Sequence, residues 1–116
     1  MKRLTTLQIQ EKKERGEKIV MLTAYDALSA ILAERAGIEV LLGGDSLGMV
    51  VLGYDSTIPV TIEDIIHHAK PVVNATSKAH IVADMPYGSY QTGWQDAMKN
   101  ATRLMKLTGA TSVKLE

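Results

Sequence analysis

The stretch Ile38-Glu-Val-Leu-Leu-Gly-Gly-Asp45 indicates both a fold and the place of a site. Residues 38–42 have the length and apolar character of a strand buried on both faces, as strands of parallel sheets are. Gly43 and Gly44 end the strand, and Asp45 follows them. The carboxyl ends of parallel strands are where α/β folds collect their functional groups, so Asp45 is a candidate site residue.

Three more apolar runs of strand length occur along the chain, at residues 19–24, 80–84 and 111–116. Helical patterns lie between consecutive runs, so strands and helices alternate. Such alternation predicts parallel strands joined by right-handed crossovers. Four of these strands fit either an open doubly wound sheet or part of a (β/α)8 barrel, and periodicity does not separate the two folds.

Side chains that can cap a helix precede each helical pattern. The predicted helices, with their capping residues, are 5–15 (Thr6), 27–36 (Asp26), 62–77 (Thr61 and Asp64) and 93–108 (Thr92 and Gln95). Pro71 lies inside the third of these helices and is expected to kink or split it.

The composition excludes several classes of protein. The 116 residues include 13 Lys and Arg against 13 Asp and Glu, so the net charge gives no argument for a nucleic-acid or membrane partner. The absence of cysteine excludes disulfides and a thiol nucleophile. No apolar run approaches the ~20 residues of a membrane span, nor does a secretory signal follow Met1-Lys-Arg3. We therefore expect a cytoplasmic protein.

Three acidic residues lie at the carboxyl ends of predicted strands: Asp45, Asp84 and Glu116. Parallel strands end at one edge of the sheet, so these carboxylates would converge and repel each other without a cation. An all-oxygen set favours a hard ion such as Mg2+. An aspartate after a strand is also a common helix cap or turn residue, and the residues alone leave both interpretations open.

Other polar residues allow two interpretations each. Lys114 and Glu116 share one face of the last strand, which fits either a paired, charged barrel interior or a solvated edge strand. Ser46 lacks the setting of a hydrolase nucleophile, but its hydroxyl and N–H could hold a carboxylate. His67 and His68 are adjacent on a helix and are expected at the surface.

Five segments in this order resemble the ketopantoate hydroxymethyltransferase (3-methyl-2-oxobutanoate hydroxymethyltransferase) family. They are residues 23–26 (TAYD), 44–49 (GDSLGM), 53–57 (GYDST) with 59–61 (PVT), 83–90 (ADMPYGSY) and 113–116 (VKLE). The resemblance covers the chain from about residue 5 to its last residue.

The resemblance implies a (β/α)8 TIM barrel, of which residues 1–116 are the N-terminal part of a single domain. Residues 1–17 would carry the N-terminal helix, and residues 18–116 would carry strands 1–4 with helices 1–3. It also implies transfer of a hydroxymethyl group from 5,10-methylenetetrahydrofolate to 3-methyl-2-oxobutanoate, giving 2-dehydropantoate for pantothenate biosynthesis. Family members form homo-oligomers, typically decamers.

The site residues carried over by the resemblance are few. Asp45 and Asp84 would bind Mg2+, with Glu116 as a third acidic ligand. Asp45, Ser46, Asp84 and Lys114 would hold the oxo acid. The family's general base is a glutamate in the second half of the barrel, so no catalytic base is assigned within this chain, and the chain alone is expected to be inactive.

Two alternatives remain beside the transferase. One is a Mg2+-dependent carbon–carbon lyase of the same superfamily. The other is a non-catalytic fragment that only binds the ligand or oligomerises, because the expected base lies after Glu116.

Overall fold

The computed structural model describes residues 2–115, so Met1 and Glu116 lie outside the described part. One parallel sheet contains β1 (Met21–Thr23), β2 (Val40–Gly43), β3 (His80–Met85) and β4 (Ser112–Leu115) in this spatial order. Doubly wound sheets reverse their strand order at a switch point, whereas barrel strands follow the chain order. The described sheet follows the chain order, which confirms the first part of a (β/α)8 barrel.

Five helices accompany the sheet in the described residues. They are α1 (Thr6–Glu14), α2 (Ala27–Arg35), α3 (Leu47–Val50), α4 (Ile62–Ala75) and α5 (Trp94–Thr108). Of the helices in residues 2–115, none combines the length and apolarity needed to cross a membrane.

The sheet has two different faces because successive side chains alternate. Leu41 and Ile81 point to the helical layer and are fully buried in one core with Ile65, Ala69 and Val72. The alternate positions form cross-strand rows on the other face, and the register pairs Asp84 with Lys114 there. The helical layer thus packs one face and leaves the other to carry polar groups toward the carboxyl ends of the strands.

The prediction that residues 19–24 form a strand buried on both faces is wrong in its burial and its length. The strand β1 has only three residues, and Met21 and Leu22 are 51% and 49% exposed. The cause is position, because β1 lies at an edge of the described sheet, with β2 on one side.

Local capping explains most helix starts. Asp26 accepts a hydrogen bond from the N–H of Ser29, and Thr61 and Asp64 form the predicted capping box. The first helix is capped by Thr5, one residue before the predicted Thr6.

The predicted capping box at the start of the last helix is wrong. Gly93 precedes α5 without a side-chain cap, and the Thr92 hydroxyl instead donates to Asp96. The helix α4 runs continuously through Pro71, which excludes a split at this residue and leaves a kink as the other predicted effect. The short α3 is not among the helices that the sequence predicts, and no side chain caps it.

The N-terminal segment is tied to the end of the sheet opposite the strand carboxyl ends. The N–H of Leu4 donates to the carbonyl of Lys78, and the buried His80 ring contacts the Leu4 carbonyl through Nδ1 at 2.9 Å. The Arg3 guanidinium donates to the carbonyl oxygens of Thr76 and Ala79. These contacts hold the chain before α1 against the start of β3 and leave the other end open.

Glu34, on α2, secures the same region from the helical layer. Burial alone would raise the pKa of Glu34, but its carboxylate accepts hydrogen bonds from the N–H groups of Ala79, Lys78 and Ser77. These bonds and the charge of Arg3 lower the pKa below its usual value of 4.5. The ionised carboxylate therefore stabilises the connection between α4 and β3.

We predict that Glu34→Gln lowers the free energy of unfolding at pH 7 by about 1.5–3 kcal/mol, the range for hydrogen bonds to charged groups. Because the pKa is lower in the folded than in the unfolded chain, the stabilisation is complete above pH 4.5 and is lost as the pH falls further. Urea unfolding from pH 7 to pH 3 should show the wild type and the variant converging. Glu14→Gln, which changes an exposed carboxylate on α1, is the control, and a constant difference between Glu34→Gln and wild type at every pH would contradict this role.

Candidate active site

The carboxylate of Asp84 is the most buried charged group at the carboxyl ends of the strands. Asp84 lies near the end of β3 and is 1% exposed, and it is followed by the buried Met85 and Pro86. A buried charge is costly unless hydrogen bonds or an opposite charge compensate it. The groups around Asp84 therefore show how its charge is compensated at this end of the sheet.

The two oxygens of Asp84 face the ends of the two neighbouring strands. Oδ2 accepts a hydrogen bond of 2.9 Å from the backbone N–H of Asp45, which follows β2. Oδ1 lies 3.7 Å from Nζ of Lys114 on β4. The Asp84 carboxylate thus joins the ends of β2, β3 and β4, and it brings three of the predicted site residues together.

Gly44 makes this approach possible. A Cβ atom at this position would lie 3.1 Å from Oδ2 of Asp84 and 3.4 Å from the Leu42 side chain. Sequence reasoning assigned Gly43 and Gly44 to ending the strand. The structure adds a second role for Gly44, which is to let the Asp84 carboxylate reach the backbone at Asp45.

Ser46 is held by a residue from another strand end. Its Oγ lies 2.6 Å from the hydroxyl oxygen of Tyr25, which follows β1 by two residues. The segment after Ser46, which begins with α3, is also packed, because Leu47 and Val60 are buried and a Cβ on Gly48 would clash with Val60. Ser46 therefore has a defined place beside Asp45.

His68 contacts this arrangement from the helical layer. Its Nδ1 lies 2.8 Å from the carbonyl oxygen of Tyr25. His67 is exposed, as expected, whereas His68 is only partly exposed. The segment at residues 23–26 was the only signal in the sequence that pointed to Tyr25, and none pointed to His68.

Two of the three predicted metal ligands lie within the described residues. Asp45 and Asp84 are neighbours at the end of the sheet, whereas Glu116 falls outside the described range. Within residues 2–115, no three His, Asp or Glu side chains form a cluster of metal-site geometry. Mg2+ commonly binds through one or two carboxylates and keeps several waters, so the oxygen donors of Asp45 and Asp84 fit such an ion.

Comparison with known proteins places the chain in a family. A family model described as ketopantoate hydroxymethyltransferase matches residues 3–116. The 3-methyl-2-oxobutanoate hydroxymethyltransferase of Carboxydothermus hydrogenoformans is 58% identical over 116 residues, which are 100% of this chain and 42% of that protein. The enzyme of the same name from Moorella thermoacetica is 59% identical over 114 residues, which are 98% of this chain and 42% of that protein.

Two solved structures share the fold. A phosphoenolpyruvate phosphomutase from Streptomyces platensis superposes with a TM-score of 0.74 at 20% identity, covering 97% of this chain and 38% of that one. A phosphonopyruvate hydrolase superposes with a TM-score of 0.73 at 15% identity, covering 95% of this chain and 38% of that one. The chain spans about two fifths of the length of the curated relatives. On the match across residues 3–116, the chain belongs to the ketopantoate hydroxymethyltransferase family.

Proposed function

We propose that the native protein containing residues 1–116 transfers a hydroxymethyl group from 5,10-methylenetetrahydrofolate to 3-methyl-2-oxobutanoate and forms 2-dehydropantoate. The observation that carries the proposal is the buried Asp84 carboxylate, which contacts the backbone of Asp45 and lies beside Lys114. The names of relatives that are 58% and 59% identical support the same activity.

Asp45 and Asp84 would hold Mg2+, and Glu116 would be a further acidic ligand. A bound Mg2+ would act as a Lewis acid that stabilises the enolate formed from the 2-oxo acid. The contribution of this chain is to place two carboxylates at adjacent strand ends. The bond from the Asp45 N–H holds Oδ2 of Asp84, so the carboxylate has one orientation before a ligand arrives.

Lys114 and Ser46 would bind the oxo acid. The Lys114 side chain is 45% exposed, so its ammonium group can be reached from solvent while it remains beside Asp84. Its positive charge would offset the charge of the substrate carboxylate. The Ser46 hydroxyl could donate to the same carboxylate. We assign no general base within residues 1–116.

The remaining parts of the proposal concern assembly and location. We propose a homo-oligomer that works in the cytoplasm on two small molecules, the oxo acid and the folate. Large apolar side chains on the outer helices, including Leu28, Leu32 and Met98, are exposed and could be covered by other copies.

The activity is tested by turnover of the native protein. With 3-methyl-2-oxobutanoate, 5,10-methylenetetrahydrofolate and Mg2+, we expect 2-dehydropantoate as the product, detected by mass spectrometry. Omission of the folate should abolish the product, because no other reactant supplies the one-carbon unit. Cleavage of a carbon–carbon bond without folate, or no 2-dehydropantoate with all components, would contradict the proposal.

The metal assignment is tested by calorimetric binding of 3-methyl-2-oxobutanoate to the same protein. We expect binding to weaken at least about tenfold without Mg2+, a loss of about 1.4 kcal/mol, and Asp84→Ala to cause a similar loss with Mg2+ present. Asp96→Ala removes an exposed carboxylate at the start of α5 and should bind like wild type. Equal binding with and without Mg2+ would exclude the metal from the oxo-acid site.

A further inference from the structure

Tyr25 and His68 form a chain of contacts that ends at Ser46. The Tyr25 hydroxyl oxygen lies 2.6 Å from Oγ of Ser46, and Nδ1 of His68 lies 2.8 Å from the Tyr25 carbonyl oxygen. One contact uses the side chain of Tyr25 and the other its backbone. A residue of α4 is thereby connected to a residue at the carboxyl end of β2 through a residue that follows β1.

The backbone on either side of Tyr25 is held by the sheet and by α4. The preceding residue, Ala24, is buried, and its N–H donates to the carbonyl of Leu42 on β2. His68 is carried by α4, where the adjacent Ala69 is fully buried against the sheet. The backbone at Tyr25 is therefore fixed from the sheet and from the helical layer, and the phenol is directed from a fixed point.

The contact between the two hydroxyl groups bears on the direction in which Ser46 donates its proton. A serine hydroxyl has one proton to donate, and its direction is set by rotation about the Cβ–Oγ bond. If the Tyr25 hydroxyl donates to Oγ, the Ser46 proton is left for an acceptor on the ligand. With the phenol as the donor, a phenol held in place selects the orientation in which Ser46 donates outward.

We propose that Tyr25, held by His68, is a positioning residue that orients the Ser46 hydroxyl toward the carboxylate of the bound 2-oxo acid. This inference rests on the proposed function, in which Ser46 contacts the oxo acid. His68 acts only through the Tyr25 backbone. Because the Tyr25 carbonyl can only accept, Nδ1 must carry a proton, and an asparagine amide can supply an N–H in its place.

The test is a double-mutant cycle on calorimetric binding of 3-methyl-2-oxobutanoate, with Mg2+, to the native protein. Tyr25→Phe should raise Kd about three- to tenfold, as for loss of one neutral hydrogen bond. In a Ser46→Ala background, Tyr25→Phe should raise Kd no further. His68→Ala should weaken binding in the wild-type background only, and His68→Asn should restore most of that loss. His67→Ala changes the exposed neighbour on the same helix and should bind like wild type.

The outcomes separate this inference from the proposed function. If Ser46→Ala weakens binding but Tyr25→Phe is neutral, or acts equally in both backgrounds, the positioning role is wrong and the proposed function stands. If Ser46→Ala binds like wild type, Ser46 is not a ligand, and the positioning role fails together with that part of the proposed function. The thermal unfolding midpoint of each variant shows whether it folds. The His68→Ala and His68→Asn pair tests the contact between His68 and Tyr25 without any change to Tyr25.

Discussion

The burial of the Asp84 carboxylate is the constraint on which the carboxyl end of the sheet depends. A carboxylate that is 1% exposed is stable only where its surroundings provide donors or positive charge. The N–H of Asp45 and the ammonium group of Lys114 lie on either side of it. Gly44 leaves the space for that approach, and the three strand ends are held together as one polar site.

The two ends of the sheet are built in different ways. At the amino end, the polar groups of Arg3, Glu34 and His80 bind backbone atoms and the hydroxyl groups of Thr76 and Ser112, and these contacts hold connecting segments in place. At the carboxyl end, the Asp84 carboxylate contacts the N–H of Asp45 and lies beside Lys114, and the Ser46 hydroxyl contacts that of Tyr25. This division lets the amino end stabilise the fold while the other end carries the proposed chemistry.

Much of the fold could be predicted from the sequence because its signals are local. The apolar runs near Leu41 and Ile81, and the caps at Asp26 and Thr61, depend on a few neighbouring residues and were predicted correctly. The burial of β1 was predicted wrongly, since it depends on which strands flank β1 in space. The contact of His68 with Tyr25 could not be predicted from the sequence. The two residues are 43 positions apart, and neither residue type indicates that the other is its partner.

The candidate site shows the same limit. The sequence predicts that Asp45 and Asp84 lie close together because parallel strands end at one edge. The hydrogen bond from the Asp45 N–H to the Asp84 carboxylate and the role of Gly44 follow only from the packing. The most direct test of the central claim is an NMR titration of the protein with Mn2+, a paramagnetic substitute for Mg2+. The amide signals of Asp45, Ser46, Asp84 and Lys114 should broaden first, and Asp84→Asn should prevent it. Broadening that begins at other acidic residues, such as Glu63 and Asp64 on α4, would contradict a metal site at Asp84.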